Sequence, residues 1–182
     1  MIRRWRPASS TGTPAASLIT VRRDSARVLL VDSRDRLLLF RSLRHPGKPE
    51  LGTLWHTPGG GINDGEPAAQ AAARELFEET GLAVGPDELG PVVAVTSGAA
   101  DIGWIAGEFH DAFYFHRVSR HHVDISRFEE LEASTYVEHR WWSVNELAQT
   151  TETVVPNDLA ALVSDLLTGA MPGEPVRLPW HH

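Results

Sequence analysis

The chain contains no cysteine. Disulfides, zinc-thiolate centres, iron–sulfur clusters and a thiol nucleophile are therefore excluded. Positive charge is also scarce. The 17 Lys and Arg residues stand against 24 Asp and Glu, a formal net charge of -7. A global basic field of the kind that holds a nucleic acid polymer is missing. No run approaches the roughly 20 apolar residues of a membrane span. Met1 to Ala16 carries Arg3, Arg4 and Arg6 with no apolar stretch behind them, so it does not read as a signal peptide. The expectation from these absences is a cytoplasmic protein with neither a membrane nor a nucleic acid polymer as partner.

What is present suits one soluble domain. The 182 residues are 42% hydrophobic and 23% charged, enough apolar matter for a substantial core. Residues 1–17, rich in Pro, Ser, Thr and Ala, read as a flexible arm, residues 18–168 as a single domain and residues 169–182 as a tail. Short apolar runs at Val28–Val31 and Leu37–Arg41 flank Asp32 to Asp35 and predict a hairpin. Further strands are expected at 54–57, 92–96, 113–118 and 140–144, with a Gly/Ala-rich loop over 97–107. Ser143 and Glu146 have the spacing of a capping box. Leu159, Leu162, Val163 and Leu166 share one face of a closing helix. Mixed strands and few helices give an α/β or α+β sandwich.

The chemistry concentrates in residues 60–82, GGINDGEPAAQAAARELFEETGL. Pro67 to Thr80 predicts a helix, opened by Pro67 and ended by Gly81. Glu75, Glu78 and Glu79 stand at i, i+3 and i+4, which puts three carboxylates on one face. Ala69, Ala73, Leu76, Phe77 and Thr80 are expected on the opposite, packed face. Like charges at this spacing repel. Arg74, four residues before Glu78, can pair with it. A hard divalent cation, Mg2+ or Mn2+, would offset the repulsion better, because such ions prefer oxygen ligands. A solvated acidic helix face is the plain alternative for the RELFEE stretch taken alone.

The wider pattern resembles the Nudix box. Gly60, Glu66, Arg74, Glu75, Glu78, Glu79 and Gly81, with aliphatic residues at 76 and 82, match it at every fixed position. A chance match in a chain this long is on the order of 10⁻⁸. The resemblance implies a mixed β-sheet sandwiched between helices. It also implies Mg2+-dependent hydrolysis of a nucleoside diphosphate linked to another moiety, a small nucleotide substrate. Carried over residue by residue, Glu78 and Glu79 resemble the principal metal ligands and Glu75 a further ligand or the residue that activates water. Arg74 resembles the group that orients the carboxylates, and Glu66 a structural acid. The backbone carbonyl of Gly59 is similar to one that can touch the metal.

Family members often add an acidic ligand from further downstream. The candidates are Glu130, Glu132 and Glu138, with Glu132 preferred. Arg41, at the end of the second strand, resembles a position that meets substrate phosphate. Trp104, in the Gly/Ala-rich segment, is the candidate for stacking on a base, with packing as the alternative. Of Trp141 and Trp142, one is expected in the core and the other along the cleft. The leaving group stays open, because the proline and tyrosine positions that mark some subclasses are absent around Ser97–Ala99. A Nudix-fold domain that binds nucleotides without turnover is the alternative function, and a homodimer is allowed for.

Overall fold

The computed structural model describes residues 21–101 and 106–180. The arm of residues 1–17, Trp104 and the pair His181–His182 lie outside the described residues. In chain order the elements are β1 (Val21–Val31), β2 (Arg36–Leu43), β3 (Thr53–His56), β4 (Gly59–Gly61) and α1 (Ala68–Thr80). They continue with β5 (Val92–Asp101), β6 (Ala106–Arg117), α2 (Glu130–Thr135), β7 (Tyr136–Ser143), α3 (Val144–Gln149), α4 (Leu159–Leu167) and β8 (Val176–Arg177). The strands form one mixed sheet in the order β3-β2-β1-β6-β5-β8, with β4 added to β1 and β7 to β2. β1 and β6 run parallel at its centre, and β1 and β2 pair antiparallel as the predicted hairpin.

Strand alternation sorts the core into two layers. Ala26, Val28, Leu30, Leu38 and Phe40 face α1, where Ala71, Ala72 and Leu76 meet them. Leu29, Val31, Leu37 and Leu39 point the other way, onto Trp142, Leu147 and the α4 stripe Leu159, Leu162, Val163 and Leu166. Each buried aliphatic side chain of that stripe contributes about 1.5–3 kcal/mol. Ser143 caps α3 as its spacing predicts: its hydroxyl accepts from the Glu146 N–H, and Glu146 accepts from the Ser143 N–H. The result is a sheet between helices. No helix among the described residues is long and apolar enough to cross a membrane.

Three expectations change. The segment 97–107 is not one loop. β5 runs on to Asp101 and β6 starts at Ala106, paired through Gly98↔Phe109 and Ala99↔Glu108. Small residues obscured strand character that the neighbouring strand supplies. Secondly, the segment set apart as a tail adds β8 to the sheet edge and buries Leu178 in the core. Finally, the face of α1 is rotated. Phe77 is 39% exposed, covered by the Arg127 guanidinium 4.7 Å from its ring centroid. The buried stripe runs through Ala72, Glu75, Leu76 and Glu79, positions that share a face at 3.6 residues per turn. Two of the carboxylates thus sit at the edge of the packed face, not opposite it.

Candidate active site

β4 brings the loop before α1 against the helix's second half. Gly59 has φ 128, and a Cβ there would lie 2.4 Å from the Ala26 carbonyl oxygen, so only glycine fits beside β1. A Cβ on Gly60 would lie 2.7 Å from Glu75 Oε2. These two glycines let the backbone of β4 close onto the carboxylates. The Gly59 N–H donates to Glu79 Oε2 at 2.6 Å. Glu75 and Glu79 are only 7% and 4% exposed.

Arg74 organises the solvent side of the cluster. Its guanidinium donates to both oxygens of Glu66, each at 2.9 Å, to Glu75 Oε1 at 2.8 Å and to Glu78 Oε2 at 3.0 Å. A fifth bond reaches the Gly61 carbonyl at 2.9 Å. The guanidinium, with help from the Asn63 N–H, holds the Glu66 carboxyl down at about 2. Glu79 behaves in the opposite way. Burial pushes its pKa well above the usual carboxylate range, against the Gly59 hydrogen bond, and the charges of Glu132 and Glu75 push it further. Burial also raises Glu75 and Glu132.

Of the three downstream candidates, Glu132 is the one the fold brings in. Carboxylate oxygens of Glu75, Glu79 and Glu132 lie within 4.8 Å of one another. Glu130 opens α2 as an exposed residue, and Glu138 pairs with Arg41 at 3.0 Å. This donor set, three carboxylates and no nitrogen or sulfur, suits a hard divalent cation. Burial strengthens the argument, because crowded carboxylates away from water need a counter-charge.

The remaining predicted residues divide. Glu78 stays near the surface, bonded to Arg74, and lines the same cavity as Glu75. The Gly59 carbonyl, expected to face a metal, accepts from Arg27 at 3.1 Å, while its N–H orients Glu79. Arg41 does not join the carboxylates. It lies on the sheet face opposite α1, bonded to Thr53 and Glu138 and over the ring of Trp55. Strand alternation decides this, since Phe40, its neighbour, points towards α1. Trp142 is core and Trp141 packs at the edge of the α1 layer, lining a separate pocket with Arg34, Arg36 and Arg120.

The cluster stands between two cavities. One is polar, about 830 Å³, bounded by Asn63, Glu66, Arg74, Glu75, Glu78 and Glu132. The other is a cleft of about 300 Å³ in which Glu79, Glu132 and Gly59 meet the apolar side chains of Leu43, Leu54, Phe109, Leu131 and Trp180. Arg23 lines both. The cleft floor holds Arg27 and the buried Asp111, 3.5 Å apart. Thr57 also lines it, with a buried hydroxyl that has no partner among the described residues. His56, against Ser42 and the Thr57 carbonyl, is held neutral by burial and by the nearby Arg27 charge, its pKa down at about 4. Sequence reasoning missed Arg23, Arg27, Asp111 and Trp180. The parallel pairing of β1 with β6, which joins Arg27 to Asp111, leaves no local signal.

A family model described as NUDIX domain matches residues 21–162. Over 56 residues the chain is 45% identical to an RNA pyrophosphohydrolase of Novosphingobium aromaticivorans, a match covering 31% of this chain and 32% of that protein. The chain therefore spans about a third of the length of this curated relative. Its fold is similar to that of a MutT protein from Methanosarcina mazei, with a TM-score of 0.62 and 18% identity over 86% of this chain and 100% of the other. It is also similar to the NUDIX domain of Shewanella oneidensis NrtR complexed with ADP ribose, with a TM-score of 0.60 and 17% identity over 84% of this chain and 93% of the other. At such identities the two structures speak for the fold alone.

Proposed function

The chain belongs to the NUDIX domain family, and from that premise we propose that it is a divalent-cation-dependent pyrophosphohydrolase cleaving the diphosphate bond of a small nucleoside diphosphate derivative. One observation carries the reading: Glu75, Glu79 and Glu132 converge within 4.8 Å at the junction of a polar cavity and a largely apolar cleft. Such a junction suits a substrate with a charged linkage in the middle and an organic group at one end.

Glu75, Glu79 and Glu132 are the residues that would hold Mg2+ or Mn2+, with Glu78 at the rim of the same cavity. A cation bound there supplies charge opposite the diphosphate and makes a nearby water more acidic. The chain's own groups do the rest. Gly59 fixes Glu79 through its N–H. Arg74 holds Glu75 and Glu78 in one orientation. Arg23 forms no ion pair among the described residues and lines both cavities, which supports a role as a donor to substrate phosphate. In this reading Glu75 and Glu79, kept from bulk water, are the carboxylates available to act as a base beside the bound cation.

The name of the sequence relative and the ADP ribose in the NrtR domain both belong to nucleotide chemistry. The net charge of -7 supports a small nucleotide over a long polymer. The test is a panel of nucleoside triphosphates, ADP-ribose and nucleotide sugars, each incubated with the purified chain, with Mg2+ or with chelator. Mg2+-dependent release of a monophosphate product is expected from at least one. Release that survives thorough chelation would remove the metal from the reading. Binding without release would make the chain a nucleotide-sensing domain instead.

A further inference from the structure

We propose that residues 175–180 build the base-recognition wall of the cleft, with Trp180 as the side chain that stacks on the nucleobase. The inference rests on the nucleotide-hydrolase reading above. It goes further in naming a binding residue that comes from a segment outside the matched family region, residues 21–162.

The segment is anchored at several points. Val176 and Arg177 pair in parallel with Ala94 and Val95. The Leu178 N–H donates to the Val95 carbonyl at 2.9 Å, and its side chain is buried. The Thr96 hydroxyl donates to the carbonyl of Leu178 at 3.1 Å. The Trp180 indole N–H then donates to the Ala99 carbonyl at 3.0 Å, which fixes the ring. That ring lies near-parallel to Phe109, with centroids 6.3 Å apart and planes 23° apart.

Gly98 is the complement of this ring. A Cβ there would meet Trp180 Cδ1 at 2.4 Å, and Gly98 has no positive φ to explain a glycine otherwise. The strand has given up a side chain so that an indole can lie flat on it. A glycine inside a strand often marks such a close approach. The indole and Phe109 both line the cleft that also contains Glu79 and Glu132. A flat heteroaromatic group, with its phosphates reaching the carboxylates, is the ligand such a wall takes. Stacking of a base on an aromatic side chain is worth about 1–3 kcal/mol, which corresponds to roughly 5- to 150-fold in affinity.

The experiment is calorimetric titration of the full chain with AMP, GMP, CMP and UMP, with Mg2+ present, and with ribose 5-phosphate as the base-free probe. Wild type is expected to bind at least one nucleotide, with Trp180→Ala at least 5-fold weaker and Trp180→Phe close to wild type. Gly98→Ala keeps the tryptophan but displaces it, and should weaken binding in the same direction. Ribose 5-phosphate should bind weakly and equally to all four proteins. Unchanged nucleotide affinity in Trp180→Ala overturns the proposal. So does an equal loss for ribose 5-phosphate, which would mean general damage, or the absence of nucleotide binding by wild type. Hydrolysis is measured separately. Turnover that ignores Trp180 sinks this inference and spares the function, whereas base-dependent binding without turnover does the reverse.

Discussion

The middle of α1 holds an arginine with more carboxylates than its charge can balance, and the last turn holds a carboxylate with too few cations. Arg74 ties together Glu66, Glu75 and Glu78. Glu79, one helical turn beyond Glu75, has a single backbone donor and two acidic neighbours. The two surroundings push carboxyl groups in opposite directions, Glu66 to about 2 and Glu79 well above its usual range. The Arg74 guanidinium makes five hydrogen bonds without any ligand, so it can fix geometry. The Glu79 cluster is electrostatically unfinished, and a bound cation would finish it. One helix thus carries both a rigid support and a site whose energy depends on what it binds.

The largest expected effect tests the unfinished half. Glu79→Gln keeps the shape and the acceptor for the Gly59 N–H but removes the charge. Turnover with saturating Mg2+ should fall by about 10²–10⁴-fold, the range typical of losing a group that acts in the transition state. In chelator the variant should be at least as stable as wild type, because burial of a repelled charge has been relieved. Steady-state kinetics and thermal unfolding on the same preparations check both. Loss of activity accompanied by equal loss of metal-free stability would erase the distinction between the two halves.

Arg74→Met should invert that pattern. It leaves three acidic side chains without their shared partner, two of them largely withdrawn from solvent. Breaking such a network by removing one member costs about 2–4 kcal/mol. Denaturant unfolding in chelator reads this directly. Turnover also falls, as Glu75 and Glu78 lose their orientation, but less than in Glu79→Gln. A stability change within the scatter of ordinary surface substitutions would show that Arg74 is not the support proposed.

The half of this contrast that was legible in the sequence is the local half. Glu75, Glu78 and Glu79 at helical spacing, Arg74 four residues before Glu78, and the Ser143–Glu146 cap all depend on neighbours within one turn. The hairpin and the α4 stripe are local in the same sense. What escaped depends on partners far away in the chain. Phe77 was expected in the core because apolar residues usually are, but the helix turns Glu75 and Glu79 inward and leaves Phe77 under Arg127. Arg41 lies in the second strand, which runs on to Leu43, and strand parity sends it away from the carboxylates. Trp180 looks like part of a tail in the sequence, because nothing near it there shows that Gly98 has made room.

The smallest effect is a slope with pH, and it separates the two halves most finely. Glu79 has a folded-state pKa raised above its unfolded value of about 4.3. Between those two values the folded chain binds more protons than the unfolded one, so stability falls as pH rises. Glu66 has the opposite sign. Its lowered pKa contributes stability present above about 4 and lost as pH falls towards about 2. His56 complicates any raw profile. Held near 4 in the fold, it adds stability as pH climbs from there to its unfolded value of about 6.5. Subtracting wild type from Glu79→Gln removes both Glu66 and His56, which the two proteins share. In chelator the Tm difference should be near zero at pH 4, grow with pH in favour of the variant, and level off once Glu79 is ionised in wild type. It should amount to a few degrees in a chain of this length. Adding Mg2+ should reverse its sign at neutral pH, because only wild type keeps the full ligand set. A difference that is flat with pH, or one that Mg2+ leaves untouched, would mean that Glu79 is neither repelled nor a ligand, and its surroundings would not differ in kind from those of Arg74.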